Sequence, residues 1–148
     1  MVTVDLKAAS LAGLSAGVAY VATAEIDNRI SGHNLDDLKL LGRLLVDDPA
    51  KAKAAGIPVH LFNAVSLAAL FPLVRRFLPG GKVLQGITFA TVENTLLYPI
   101  AALEDKHPGI RNGEIDRYFS FKAYLLSIPR HIAYGATLGF LYDRLARR

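Results

Sequence analysis

The 148-residue sequence is 52% apolar and only 20% charged, with a formal net charge of +4 and no cysteine; its mean hydropathy is +0.30. Soluble domains are typically about 45–50% apolar with glycine counted and about 25% charged, so this balance excludes a disordered chain and points to one integral membrane domain spanning 1–148. The absence of thiols excludes disulfides, thiolate metal sites and a cysteine nucleophile.

Four apolar segments occur in order, at 8–26, 57–77, 83–103 and 119–142. Each is near the roughly 20 residues that a helix needs to cross about 30 Å of hydrocarbon. In the first, Lys7, an apolar run and Ala22-Thr23-Ala24 before Glu25 resemble a signal peptide. Asp5 and the dilution by Gly and Ser instead predict a retained span.

The polar stretch that follows has its own periodicity. Leu35, Leu38, Leu41 and Leu45 recur at helical spacing against Asp36, Asp37, Lys39 and Arg43, with Asn34 as a candidate N-cap. This predicts an amphipathic surface helix between spans 1 and 2; a soluble cap over the helix ends fits the same pattern. Asp48-Pro49 predicts a further short helix that ends at Gly56.

The second and third segments are joined by Leu78-Pro79-Gly80-Gly81-Lys82, which predicts an antiparallel hairpin. For the fourth, a helix starting at Pro129 would be too short to span, so one continuous helix from about Tyr118, kinked at Pro129, is expected.

The basic residues lie at segment edges, at Arg75, Arg76 and Lys82 and at Arg144, Arg147 and Arg148. This is a membrane-flank pattern, with no nucleic-acid partner implied. The positive-inside rule places both termini in the cytoplasm of a multi-pass inner-membrane protein.

The chain also resembles itself. Pro58-Val-His60 through Leu70-Phe71 parallels Pro129-Arg-His131 through Leu141-Tyr142, 71 positions on, and Leu11-Ala-Gly13-Leu-Ser15 aligns with Leu84-Gln-Gly86-Ile-Thr88. The pattern predicts an all-α four-helix membrane bundle built from a duplicated two-span unit, with repeat units of about 8–78 and 83–148. Small residues four apart recur in every segment: Gly13 and Gly17, Ala64 and Ala68, Gly86 and Ala90, Gly135 and Gly139. Such stripes let helix backbones approach closely in lipid.

The same inward stripe carries the polar residues His60, Glu93, Asn94 and His131, with Asn63 and Tyr134 beside it. These six form the expected intramembrane polar cluster. A carboxyl in mid-span is expensive unless neutral, paired or facing water, so Glu93 is the sharpest single residue. Three readings stay open: interhelical hydrogen bonding around a lipid or hydrophobic ligand, a haem or metal held by His60 and His131 with Glu93, and proton or ion passage centred on Glu93. No cofactor is predicted outright, and no catalytic residue is assigned. Arg130 is expected to meet Glu93 or Glu25, and His33 and His107 read as exposed loop residues. Gly13-Leu14-Ser15-Ala16-Gly17 matches the G-x-S-x-G elbow in letters, but within an apolar helix it reads as a packing face.

The run His60-Leu-Phe-Asn through Phe77-Leu-Pro79, Val83-Leu-Gln85-Gly86 and Tyr98-Pro99 resembles the core of the YagU-type and related small four-span bacterial inner-membrane proteins, in which a His returns in the last span as at His131. The resemblance implies a multi-pass inner-membrane location and says little about activity. The expected role is therefore a non-enzymatic accessory subunit, or a binder of a lipid or other hydrophobic ligand, whose partners are membrane lipid and other membrane subunits.

Overall fold

A computed structural model describes residues 4–146, so Arg147 and Arg148 of the basic C-terminal cluster lie outside the described residues. Every regular element among the described residues is helical. These are α1 (Leu6–Ser31), α2 (Asp37–Arg43), α3 (Pro49–Val74), α4 (Lys82–Leu97), α5 (Pro108–Arg111) and α6 (Phe121–Leu145), with 3₁₀ turns at Arg75–Phe77 and Tyr98–Lys106.

The helix starts follow side-chain capping. Asp5, Asp36, Asp48 and Ser120 each accept a hydrogen bond from an otherwise orphaned N–H in the first turn of α1, α2, α3 and α6. The cap of α2 is thus Asp36, not Asn34. Asp48-Pro49 does start a helix, but that helix does not stop at Gly56. It runs on through Gly56 and Pro58 into the second apolar segment. Gly56 is a packing position: a Cβ there would overlap the Leu38 carbonyl, so its bare backbone lets α2 lie against α3. The third segment leaves α geometry after Leu97 and continues as the 3₁₀ turn Tyr98–Lys106, near Pro99, which has no N–H to donate to an α-helical ladder. The fourth is continuous through Pro129, starting at Phe121 rather than Tyr118.

The long helices pack in the spatial order α3, α1, α6, α4. The expected hairpin of consecutive segments is therefore splayed. Above the turn α3 and α4 diverge, and their nearest ring contact, Phe71 to Phe89 at 5.6 Å, lies at the turn end. Small stripes meet where predicted. A Cβ on Gly13 would reach Ala68 Cβ at 2.5 Å, one on Gly17 would reach Ala64 Cβ at 2.9 Å, and Gly86 lies directly on the backbone of Gly135.

The molecule is inverted relative to a soluble protein. Ten of the eighteen buried apolar residues among those described are alanines, whereas Phe62, Leu96 and Phe77 are 74%, 72% and 73% exposed. A soluble core buries its Leu and Phe. Here many of the large apolar side chains face outward, with Phe71 and Leu138 fully buried as exceptions. Two helical stretches, Leu6–Ser31 and Pro49–Phe77, are long and apolar enough to cross a membrane. The α-helical part of α4 is only 16 residues long, and α6 carries Lys122, Arg130, Asp143 and Arg144 within its 25 residues.

At one end of the bundle, α2, the Tyr98–Lys106 turn, α5 and the loop 112–120 form a polar cap. Arg43 is 6% exposed and holds Glu114 through Nε at 3.0 Å and Nη2 at 3.2 Å. Arg117 binds Glu104 at 2.8 Å and also Asp105. His107, expected to be exposed, is half-buried and donates from Nε2 to the Leu40 carbonyl at 2.9 Å. His33 contacts Asp116 at 3.3 Å. The α2 segment is thus a cap tied over helix ends, with Leu35 and Leu38 buried beneath it.

Partial burial pushes the Glu114 carboxyl up, but hydrogen bonds from Arg43 and Asn112 and the charges of Arg43 and Lys39 outweigh this and hold it below the ordinary carboxylate range. A carboxylate held low adds stability above its unfolded value and loses that contribution as pH falls through its folded value. The cap should loosen in acid, and Glu114→Gln should flatten this acid limb. Thermal midpoints of both proteins between pH 3 and 7 check it.

Candidate functional site

The divergence of α3 and α4 leaves a cavity of about 580 Å³ between them. This is within the roughly 300–1,000 Å³ range of small-molecule sites. The walls are α3 and α4, α6 and Tyr20 of α1 line the rest, and the cap closes one end. The mouth lies between exposed Asn63 and exposed Leu97.

All six residues singled out in the sequence, His60, Asn63, Glu93, Asn94, His131 and Tyr134, line this space. They come from three helices and are not one contiguous cluster. His60 donates from Nε2 to the Gly17 carbonyl at 3.2 Å, a contact that the missing side chain of Gly17 permits. Tyr134 donates across to the Ala64 carbonyl at 2.7 Å. Asn94 donates to Ser127 Oγ at 2.8 Å, and Ser127 in turn donates to the Tyr124 carbonyl. Asn63 sits at the rim.

Glu93 meets neither His60 nor Asn94. Its partner is His131, with Oε2 3.5 Å from Nε2. The other ring nitrogen of His131, Nδ1, lies 2.8 Å from the Ser127 carbonyl and must carry a proton to bond it. In the neutral ring Nε2 then has a bare lone pair, turned toward the Glu93 carboxyl.

Tyr20 is the residue that sequence reasoning missed. Its ring stands 5.2 Å from that of His60 and 5.1 Å from that of His131. Tyr20 thus packs against both imidazoles. Among the described residues no group of three His, Asp or Glu side chains is placed to hold a metal ion. A signal for Tyr20 existed: it is the only aromatic residue in α1.

Arg130 also departs from expectation. It pairs with neither Glu93 nor Glu25. Instead it is 2% exposed and donates to Asp27 at 3.2 Å, Asp37 at 2.8 Å, Asn28 at 3.0 Å and the Leu35 carbonyl at 2.9 Å. Tyr20 donates to the same Asp37 at 3.2 Å. Arg130 thereby ties the middle of α6 to the end of α1 and the start of α2, behind the cavity. Outside the helices, burial and the Asp37 carboxylate hold the Tyr118 phenol well above its ordinary value, so it stays protonated.

Fold and cavity together define a small all-helical protein with an apolar exterior and a polar-floored internal site. The chain belongs to DUF6789, a family of unknown function, whose family model matches residues 3–148. No curated protein and no solved structure matches the chain.

Proposed function

We propose that this chain is a multi-pass inner-membrane protein that binds a lipid or other hydrophobic ligand in the α3–α4 cavity, as a binder or accessory subunit rather than an enzyme. One observation carries the reading: the protein buries Ala and Gly and exposes Leu and Phe around a cavity whose few polar groups face inward. In water such a shell would aggregate, whereas in hydrocarbon it is the natural surface, since helices in lipid associate by close packing and interhelical hydrogen bonds.

All four long helices act as spans in this account. Although α4 and α6 fall short of α1 and α3 in length or apolarity, they pack alongside them, and α4 is prolonged by the Tyr98–Lys106 turn. The matched small pairs, Gly13 with Ala68 and Gly86 with Gly135, support a two-span unit used twice. Arg75, Arg76 and Lys82 mark the cytoplasmic side, and the acidic cap faces outward. The resemblance to the YagU-type proteins points to the same location.

Protein purified in mild detergent should retain a bound amphiphile detectable by native mass spectrometry. Leu67 lines the cavity, and Leu67→Trp adds bulk there. That variant should lose the ligand while its thermal midpoint stays within about 3 °C of the parent. Ligand-free parent protein, or unchanged occupancy in Leu67→Trp, would contradict the assignment.

A further inference from the structure

We propose that the occupant of this cavity is a lipophilic cation, its positive centre held by the Glu93 carboxylate and by tyrosine ring faces. This rests on the cavity being a hydrophobic-ligand site, and it specifies the chemistry of the ligand.

The charges around the cavity are unevenly spent. Asp37 is committed to Arg130 and Tyr20. Glu104 is committed to Arg117 and to the backbone N–H groups of Tyr118 and Phe119. Lys106 lies exposed on the cap. Glu93 differs from both acids: its ion-pair contact is with the His131 ring and with no Lys or Arg. Lys106 lines the cavity only at its cap end, so a phosphate or carboxylate head placed beside Glu93 would meet a second acid. A cation would meet a carboxyl that needs one.

The walls have the matching character. Tyr20, Tyr98, Tyr118, Tyr124 and Tyr134, five of the six tyrosines in the chain, line this one cavity. The hydroxyls of Tyr20, Tyr124 and Tyr134 already pair with Asp37, Thr95 and the Ala64 carbonyl. What these three offer a ligand is ring surface, and aromatic faces attract cations most strongly when desolvated.

Occupancy is therefore an exchange. Without a cation the Glu93 carboxyl, which has no Lys or Arg beside it, keeps its proton, since an unpaired carboxylate among apolar helices is costly. A cationic ligand enters, the carboxyl ionises against it, and the proton leaves to solvent. The groups facing Glu93 are Tyr20 from α1, His60 from α3, and His131 and Tyr134 from α6, with the Asp37–Arg130 pair behind Tyr20. The tyrosines do not titrate near neutrality, and protonating either histidine adds repulsion. Acid thus weakens cation binding through every one of these groups that titrates.

Tetraphenylphosphonium and tetraphenylborate, ions of matched shape and opposite sign, test this on the full chain in nanodiscs, with empty nanodiscs subtracted. Tetraphenylphosphonium should bind about tenfold or more tightly than tetraphenylborate at pH 8. It should weaken toward pH 5.5 and release about one proton per ion bound in weak buffer. Glu93→Gln should remove most of the preference, suppress the proton release and flatten the pH dependence to the part that the histidines contribute. If Glu93→Gln fails to fold, proton release and the pH profile of the parent and of Glu93→Asp carry the test. Equal binding of the two ions, with no proton released, overturns the cation assignment and leaves the hydrophobic site standing. Binding of neither ion overturns it too, and a lack of any co-purified lipid would then remove the site itself.

Discussion

Replacing Arg130 with methionine should lower the thermal midpoint by on the order of 10 °C, the largest loss expected from any single polar substitution in this chain. The guanidinium is 2% exposed and bonds four separate groups on α1 and on the segment leading into α2. Removing one partner of a buried ion pair typically costs about 3–5 kcal/mol, because the charge left behind is neither paired nor hydrated. Here two carboxylates, Asp27 and Asp37, would be stranded. Their desolvation, more than the lost attraction, sets the size of the effect. Neutralising both should therefore recover much of the loss, and Arg130→Met with Asp27→Asn and Asp37→Asn should melt well above Arg130→Met alone. Lysine should rescue poorly, since one ammonium cannot reproduce a planar fork aimed at four acceptors. Differential scanning fluorimetry of the four proteins in one detergent checks the series. A midpoint for Arg130→Met within about 2 °C of the parent would show that the buried pair does not hold the cap to the bundle.

A second large effect is expected at the crossing of α4 and α6. A Cβ on Gly86 would overlap the Gly135 carbonyl oxygen, and one on Gly135 would overlap the Gly86 carbonyl oxygen. Both obstructions are backbone, so no side chain can swing aside and the helices themselves must separate. Alanine raises intrinsic helix propensity by about 1 kcal/mol over glycine, which opposes the clash. Overpacking of this kind typically costs about 1–3 kcal/mol, occasionally more, and the helices gain no compensating hydrophobic drive in lipid. Gly86→Ala and Gly135→Ala should each be destabilising, and Gly135→Val severely so. Gly81 has nothing within 4 Å of its would-be Cβ and is the N-cap of α4, so Gly81→Ala should cost only the roughly 0.5–1 kcal/mol of a poorer cap. Equal behaviour at positions 81 and 86 would contradict the close approach.

Much of this architecture can be read directly in the sequence. Apolar length marks the helices, and small residues four apart mark where they touch, so Gly13, Gly17, Ala64 and Ala68 were identifiable before any fold was known. Polar residues in an apolar segment are equally conspicuous, which is why His60, Glu93, Asn94 and His131 all prove to line the cavity. Partnerships were harder to read. The sequence pattern offers Arg130 either Glu93 or Glu25, yet on α1 its partner is Asp27, two residues beyond Glu25, about 200° around the helix and on the opposite face. Only the rotation of α1 against α6 decides between them. Tyr20 escapes such a reading because an aromatic residue in an apolar segment raises no flag by itself, although its ring contacts both histidines. The splaying of α3 from α4 follows from α1 and α6 packing together between them, a tertiary choice that the short Leu78–Lys82 turn does not encode.

Because the chain contains no cysteine, single thiols can be placed at will, and labelling them in intact cells tests the membrane account most directly. Arg111→Cys lies in the cap and Gly81→Cys in the turn at the opposite end; both positions are exposed. The account predicts that a membrane-impermeant maleimide labels Arg111→Cys from outside, and reaches Gly81→Cys only after the membrane is opened. Equal labelling of both, with the chain recovered as a monodisperse species in the aqueous fraction without detergent, would contradict it.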